Sequence, residues 1–79
     1  MTKAKQKEKA LDKIEARIRN MSNAQDLMCL ELYDAAISSM LRLTWQLDII
    51  TREERDNLEI FQCENYFATK KQLEGRATA

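Results

Sequence analysis

Reactive side chains are scarce in this sequence. The two cysteines, Cys29 and Cys63, have no second cysteine or histidine at the close spacing of a zinc site. The chain contains no histidine, so it lacks the commonest general base and the Glu-Xaa-Xaa-His motifs of a di-iron bundle. We therefore expect a non-enzymatic protein without metal, cofactor or small-molecule substrate, in which both cysteines are buried or half-buried free thiols.

Four lysines near the N-terminus are the other chemically distinctive feature. Residues 1–20 carry seven basic and three acidic groups, and this excess includes Lys3, Lys5, Lys7 and Lys9. Alternate residues on a helix lie about 200° apart, so these ammonium groups spread around the axis instead of lining one side. Three interpretations remain open: a solvated tail, contact with an acidic protein surface, or contact with the phosphates of a nucleic acid.

Composition predicts an all-α protein. The 79 residues contain no proline and a single glycine, with 44% hydrophobic and 33% charged residues. A chain of this size is one domain at most and buries only about 60% of its unfolded surface, so its own core is marginal. No apolar run approaches the roughly 18 residues of a membrane span, and no apolar signal core follows the lysines, so we expect a cytoplasmic protein.

The first predicted helix is short and charged. Its apolar residues recur at steps that place them on one narrow seam, formed by Ala4, Leu11, Ile14, Ile18 and Met21. The N-terminal lysines oppose the helix dipole, so we expect fraying in residues 1–8 unless an anionic group holds them. Residues 9–74 are predicted to form a single helical domain, and residues 75–79 a disordered tail.

Two capping boxes predict where the next helices begin. Ser22 and Gln25 fit the first, so a second helix is expected from this point to about Ile49. Thr51 and Glu54 fit the second, so a third helix is expected from Arg52 to about Leu73, ended by Gly75. The short connection between them predicts that helices 2 and 3 form a long antiparallel hairpin.

The hairpin implies a register in which residues whose numbers sum to about 100 lie at the same height. Helix 3 then packs through one apolar side, leaving Leu58, Phe61 and Ala68 on a different flank. The expected pairs are Tyr33 with Phe67, Ile37 with Cys63, and Met40 with Ile60.

One group of apolar residues has no obvious cover in this arrangement. The first helix pairs with the second only as far as Ser39, so the tip of the hairpin stays open. Trp45, at its centre, is either a core residue or the anchor of an interface, where tryptophan is enriched. The predicted interface consists of Leu41, Trp45, Ile49, Leu58 and Phe61.

We therefore expect a small adaptor, inhibitor or regulator that binds a larger protein, as a homodimer in a helical bundle. The alternative is a nucleic-acid-binding regulator that uses the basic segment. A structural coiled coil is a third class, but polar and charged residues such as Glu64 and Lys71 interrupt the apolar flanks of the third helix.

Overall fold

The computed structural model describes residues 2–78, and the side chains of residues 2–76. It contains three α-helices: α1 (Lys3–Asn20), α2 (Leu27–Gln46) and α3 (Arg52–Thr78). A 3₁₀ turn, Met21–Asn23, lies between α1 and α2. Residues 2–78 include no strand, so the prediction of an all-α protein is confirmed.

The helix α1 begins earlier than expected. The Thr2 hydroxyl accepts a hydrogen bond from the Lys5 N–H at 3.3 Å, so the helix begins at Lys3 and not near Lys9. The Lys7 ammonium lies 3.1 Å from the Glu54 carboxylate at the start of α3. Glu54 thus supplies an anionic partner for the basic end of α1, within the segment that we expected to fray. Met1 lies outside the described residues.

The start of α2 differs from the prediction. The Ser22 hydroxyl does not cap a helix but donates to the Arg19 carbonyl at 3.0 Å, at the end of α1. Asp26 is the N-cap instead, because its carboxylate accepts the Cys29 N–H at 2.8 Å. This backbone hydrogen bond holds the pKa of Asp26 below its usual value. An ionised carboxylate makes a stronger hydrogen bond than a hydroxyl, and it also suits the positive end of the helix dipole.

The connection between α2 and α3 contains the predicted capping box. The Thr51 N–H donates to Glu54 Oε1 at 2.8 Å, and the Glu54 N–H donates to Thr51 Oγ1 at 3.1 Å. Asp48 adds a feature that we did not predict, because its φ of 57° is in the left-handed region. That conformation ends α2 at Gln46, about one turn before the predicted Ile49, and aspartate tolerates it better than most residues.

The C-terminal end of α3 also departs from expectation. We predicted that Gly75 ends the helix, but α3 continues through it to Thr78. The glycine does not have a positive φ, so it takes no left-handed capping conformation. The tail predicted for residues 75–79 therefore overlaps the last turn of α3, and Ala79 lies outside the described residues.

Polar side chains join α2 to α3. Gln62 Nε2 donates to Asp34 Oδ1 at 2.8 Å and to Ser38 Oγ at 3.0 Å. The Tyr66 phenol donates to the Glu31 carboxylate, and this hydrogen bond raises the pKa of Tyr66 to about 12. Residue numbers therefore rise along α3 as they fall along α2, so the two helices run in opposite directions at this contact.

The side of α3 that faces the core is not the predicted one. Ile60 is 59% exposed, Phe67 is 63% exposed, and Cys63 is also exposed. The predicted pairs of Met40 with Ile60, Tyr33 with Phe67 and Ile37 with Cys63 are therefore wrong, because α3 turns a different side toward the core. The buried stripe includes two polar residues whose hydrogen bonds satisfy them, and it consists of Leu58, Gln62, Thr69 and Leu73.

The core lies where α1 crosses α2 and α3. Ile14, Ile18 and Met21 are fully buried, and α1 contacts both of the longer helices. The molecule measures 50 × 20 × 15 Å, and its radius of gyration is 13.9 Å. A compact domain of this length has a radius of gyration of about 11–12 Å, so the bundle is long and thin. None of the helices in residues 2–78 is long and apolar enough to cross a membrane.

Replacing Ile18 with alanine tests the importance of α1 for the core. Because Ile18 is fully buried, we expect Ile18→Ala to lower the free energy of unfolding by about 2–5 kcal/mol. Ile60→Ala is the matched control at an exposed position and is expected to change it by about 0.5 kcal/mol or less. Urea unfolding followed by far-UV circular dichroism measures both, and equal effects would contradict this account of the core.

Replacing Asp26 with asparagine tests the N-cap of α2. Asparagine keeps the capping acceptor but does not titrate. The folded-state pKa of Asp26 is lowered, so its charge stabilises the fold above the unfolded value of about 4, and that contribution disappears as the pH falls through the folded pKa. We therefore expect the stability advantage of the wild type over Asp26→Asn to shrink between about pH 6 and pH 3. Urea midpoints measured across this range check it; a constant difference would argue against the Asp26 cap.

Candidate functional site

The residues predicted to form an interface do not share an open surface. Leu41 and Leu58 are 2% and 5% exposed and belong to the core. Ile49 and Phe61 are half-buried and pack against that core, while Trp45 is 38% exposed. The expectation that the tip lacks a cover is wrong, because α1 begins at Lys3 and reaches Glu54 through Lys7.

Trp45 lies in a groove between α2 and α3 and is held there by a cation. The guanidinium carbon of Arg55 lies 4.3 Å from the centroid of the indole ring. Arg55 also forms ion pairs with Asp56 at 3.2 Å and with Glu59 at 3.7 Å. One face of the ring is therefore covered within the chain, which accounts for the partial exposure of Trp45.

A different surface of α2 is both apolar and uncovered. Its large side chains are Met28, Leu32 and Leu43, which are 75%, 66% and 58% exposed, and Leu47, which directly follows the helix and is 61% exposed. Smaller exposed residues fill the space between them. We call this surface the outer α2 face; it consists of Met28, Leu32, Ala35, Ala36, Ser39, Leu43, Gln46 and Leu47.

Helical periodicity explains why this face is left outside. The buried residues Leu30, Ile37 and Leu41 lie within about 40° of one another around α2. The helical residues of the outer α2 face lie about 120–180° away from the centre of that buried side. A helix at the edge of a three-helix bundle buries one side, so the opposite side meets solvent.

The outer α2 face also contains no charged residue. The charged residues of α2 are Glu31, Asp34 and Arg42, and all three lie on other parts of the helix surface. The solvent-facing side of a surface helix is ordinarily charged or polar. A contiguous apolar helix face of this kind is typical of a site that another polypeptide covers.

Two exposed apolar residues of α3 do not extend this surface. Ile60 and Phe67 lie on the outer side of α3, and periodicity places Glu64 and Lys71 beside them. Phe67 contacts the Tyr66 ring edge to face, with 5.3 Å between the ring centroids. Isolated apolar side chains among charges are common on protein surfaces, so these residues do not define a second interface.

The predicted polyanion contacts remain on the surface of α1. Lys3, Lys5 and Lys9 are exposed, and Lys7 pairs with Glu54. Their alternate spacing on a regular helix directs neighbours about 200° apart, so α1 does not align them on one side.

The two cysteines are free thiols, but they differ in exposure. Cys29 is half-buried, whereas Cys63 is exposed, so the expectation that both would be at least half-buried is wrong for Cys63. In the part of the chain that the structure describes, no group of three histidine, cysteine or acidic side chains could hold a metal ion.

Helical periodicity alone does not separate part of the outer α2 face from the core. At 100° per residue, Leu32, Ala36, Leu43 and Leu47 fall on one broad apolar arc with residues that are buried, such as Ile37. The distribution of charge could have separated the exposed residues from the buried ones. The outer α2 face is an uncharged sector along the whole helix, and it lies beside the apolar sector that is buried. Periodicity shows that both sectors exist but does not show which one α1 and α3 cover.

No protein-family model, curated protein or solved structure matches this chain. Its class is therefore defined by its own fold, an all-α protein of three helices with an uncovered apolar face on α2.

Replacing Arg55 with alanine tests the contact with Trp45. We expect Arg55→Ala to shift the fluorescence emission of Trp45 to longer wavelength, because the ring loses its cover and meets more water. Trp45 is the only tryptophan, so the emission reports on this residue alone. Arg52→Ala, which removes an exposed arginine one turn earlier, is the control and should leave the emission unchanged. An unshifted spectrum for Arg55→Ala would contradict the stacking.

Proposed function

We propose that this protein is a non-enzymatic protein–protein interaction module that acts as an adaptor, inhibitor or regulator of a larger protein. The observation that carries the proposal is the uncovered, uncharged outer α2 face. The proposal includes a helical hairpin of α2 and α3 and its assembly into a dimeric bundle. We place the interface on the outer α2 face and not on the predicted group around Trp45, because most residues of that group pack inside the chain.

The apolar area of this face favours a permanent or frequent occupant. Fully burying a leucine or methionine side chain is worth roughly 1.5–3 kcal/mol. The four large side chains of the outer α2 face are 58–75% exposed, so covering each would recover about half of that amount or more. The sum is appreciable beside the cost of association, and also beside the total stability of about 5–15 kcal/mol that is usual for a small domain.

The shape of the face fits a helical partner. From Met28 to Gln46 it extends about 27 Å along a single helix. Ala35, Ala36 and Ser39 lie near its middle, where small side chains let a second helix approach closely. Leucine and methionine lie toward both ends. Such a surface suits an amphipathic helix that presents its own apolar side.

The alternative of a nucleic-acid-binding regulator has weaker support. One of its four lysines, Lys7, is already paired with a carboxylate of the same chain. The spread of the other three around α1 favours a solvated surface over a groove for a phosphate backbone.

Replacing Leu43 with glutamate tests the proposed interface. Leu43 and Ile60 are almost equally exposed, at 58% and 59%, but only Leu43 lies on the outer α2 face. We expect Leu43→Glu to abolish binding to the larger partner, because a buried, unpaired carboxylate opposes association. Ile60→Glu is the matched control and should bind like the wild type. The measurement compares which proteins each immobilised variant retains from an extract of the native host.

The variants must first be shown to be equally helical by circular dichroism. Proteins retained by the wild type and by Ile60→Glu but lost with Leu43→Glu would support the proposal. The same retained proteins with Leu43→Glu as with the wild type would rule out the outer α2 face as the binding site.

A further inference from the structure

We infer that the outer α2 face is covered by the same face of a second copy of this chain, with the two α2 helices antiparallel. This inference rests on the proposed function, since it names the occupant of the same surface. A two-fold axis passes between the helices near residues 36 and 37, so that residue n of one protomer lies level with residue 73 − n of its partner. Two properties of α2, the order of its side-chain sizes and the placement of its charges, indicate this register independently.

Side-chain size is the first of these properties. The axis brings together the small central residues, Ala36 of one protomer lying between Ala35 and Ser39 of its partner. Each large side chain of one protomer then lies level with the space between two side chains of its partner, and not level with another large side chain. Leu43 of one protomer falls midway between Met28 and Leu32 of the other, as a knob enters a hole in antiparallel helix packing.

The same register also fits Leu32 and Met28. By the same relation, Leu32 of one protomer falls midway between Ser39 and Leu43 of its partner. Met28 falls midway between Leu43 and Leu47. All of these residues are exposed in the single chain, so no rearrangement of the core is required to form the contact.

Charge is the second property. Glu31 and Arg42 are exposed, and they lie within about 20° of each other on one border of the outer α2 face. Their numbers sum to 73, so each Glu31 lies level with Arg42 of the partner in the antiparallel pair. Two-fold symmetry places both residues on the same side of the interface, which gives two equivalent ion pairs. The Tyr66 phenol uses one lone pair of the Glu31 carboxylate and leaves others for the arginine.

A parallel pair would place the charges unfavourably. Its two-fold axis runs along the helices, so each Glu31 and its counterpart lie at the same height but on opposite borders of the interface, and neither Glu31 nor Arg42 meets an opposite charge across it. The charges therefore select the antiparallel orientation, in the same register that side-chain size selects. This agreement identifies a second copy as the occupant, because an unrelated partner would need no such relation within α2 itself.

Dimer formation regulates access to the outer α2 face. A larger protein that binds the outer α2 face competes with the second copy for it. The dimer is then a closed form of the module, and binding of a target depends on the concentration of free protomer.

Engineered disulfides test the orientation. In a chain carrying Cys29→Ser and Cys63→Ser, we expect Ala36→Cys to form a covalent dimer under mild oxidation, because residue 36 lies next to the two-fold axis. Leu32→Cys should not crosslink, because residue 32 lies level with residue 41 of the partner, about 13–14 Å from its own counterpart along the axis. Crosslinking is read on non-reducing gels, after circular dichroism has shown that each variant is as helical as the wild type.

Each other outcome of this experiment overturns the inference. Crosslinking of both variants indicates a parallel or nonspecific pair, since a parallel pair places every residue level with its counterpart and residues 32 and 36 both lie on the contacting face. Crosslinking of neither variant, in a chain that sedimentation shows to be dimeric, rejects the register.

Charge reversal tests the ion pairs separately. We expect Glu31→Arg and Arg42→Glu each to raise the dissociation constant of the dimer about tenfold, because two attractive pairs become repulsive. Mixing the two variants in equal amounts should restore association as a heterodimer, in which both arginine–glutamate pairs re-form. Tyr66→Phe is the control for the hydrogen bond that Glu31→Arg also removes, and it should leave the dissociation constant unchanged. Failure of the mixture to associate more tightly than either variant alone would overturn the pairing.

The oligomeric state of the wild type separates this inference from the proposed function. A chain that remains monomeric in sedimentation at millimolar concentration rejects the second copy. In that case, loss of captured proteins with Leu43→Glu but not with Ile60→Glu would still support binding of a larger protein. A dimer with the expected crosslinks and no captured protein would support the second copy and reject the larger target.

Discussion

The packing of α1 into the channel between α2 and α3 determines the rest of this structure. The fully buried Ile14 and Ile18 of α1, with Met21 directly after it, form a single seam that faces both long helices. That contact decides which side of α2 becomes the inner one, and it covers Leu41 and Leu58 near the connection to α3. Because the seam is narrow, α1 covers one channel and no more, which leaves the opposite side of α2 in water.

Apolar and charged residues are unevenly distributed among the three helices. The outer sides of α1 and α3 carry most of the charged residues of the chain, whereas α2 has three in twenty residues. A helix that is apolar around most of its circumference is usually buried on all sides. In this long, thin bundle α2 has neighbours on one side, so its composition fits a helix whose second side is covered by association.

Polar groups hold α2 and α3 together on the side of the bundle where Trp45 lies in the groove between these two helices. Gln62 is only 5% exposed and reaches Asp34 and Ser38, while Arg55 stacks on Trp45. These directional contacts relate particular heights on the two helices, which apolar packing alone does less strictly. A defined register between α2 and α3 in turn fixes which residues of α2 face outward.

Local interactions in the sequence determined the helical class, the capping box of Thr51 and Glu54, and the surplus of apolar residues on α2, because propensity and capping act within a few residues. Competition between local signals was harder to predict, as shown by Asp26 capping α2 in place of Ser22 and by α3 continuing through Gly75. Only the tertiary structure decided which apolar sides are buried. Which side of α3 faces α2 depends on hydrogen bonds of Gln62 to residues more than twenty positions away. The burial of Leu41 and Leu58 depends on how far α1 extends along the bundle. Periodicity measures how apolar each side of a helix is, but the partner that covers a side is set by the packing of the whole chain.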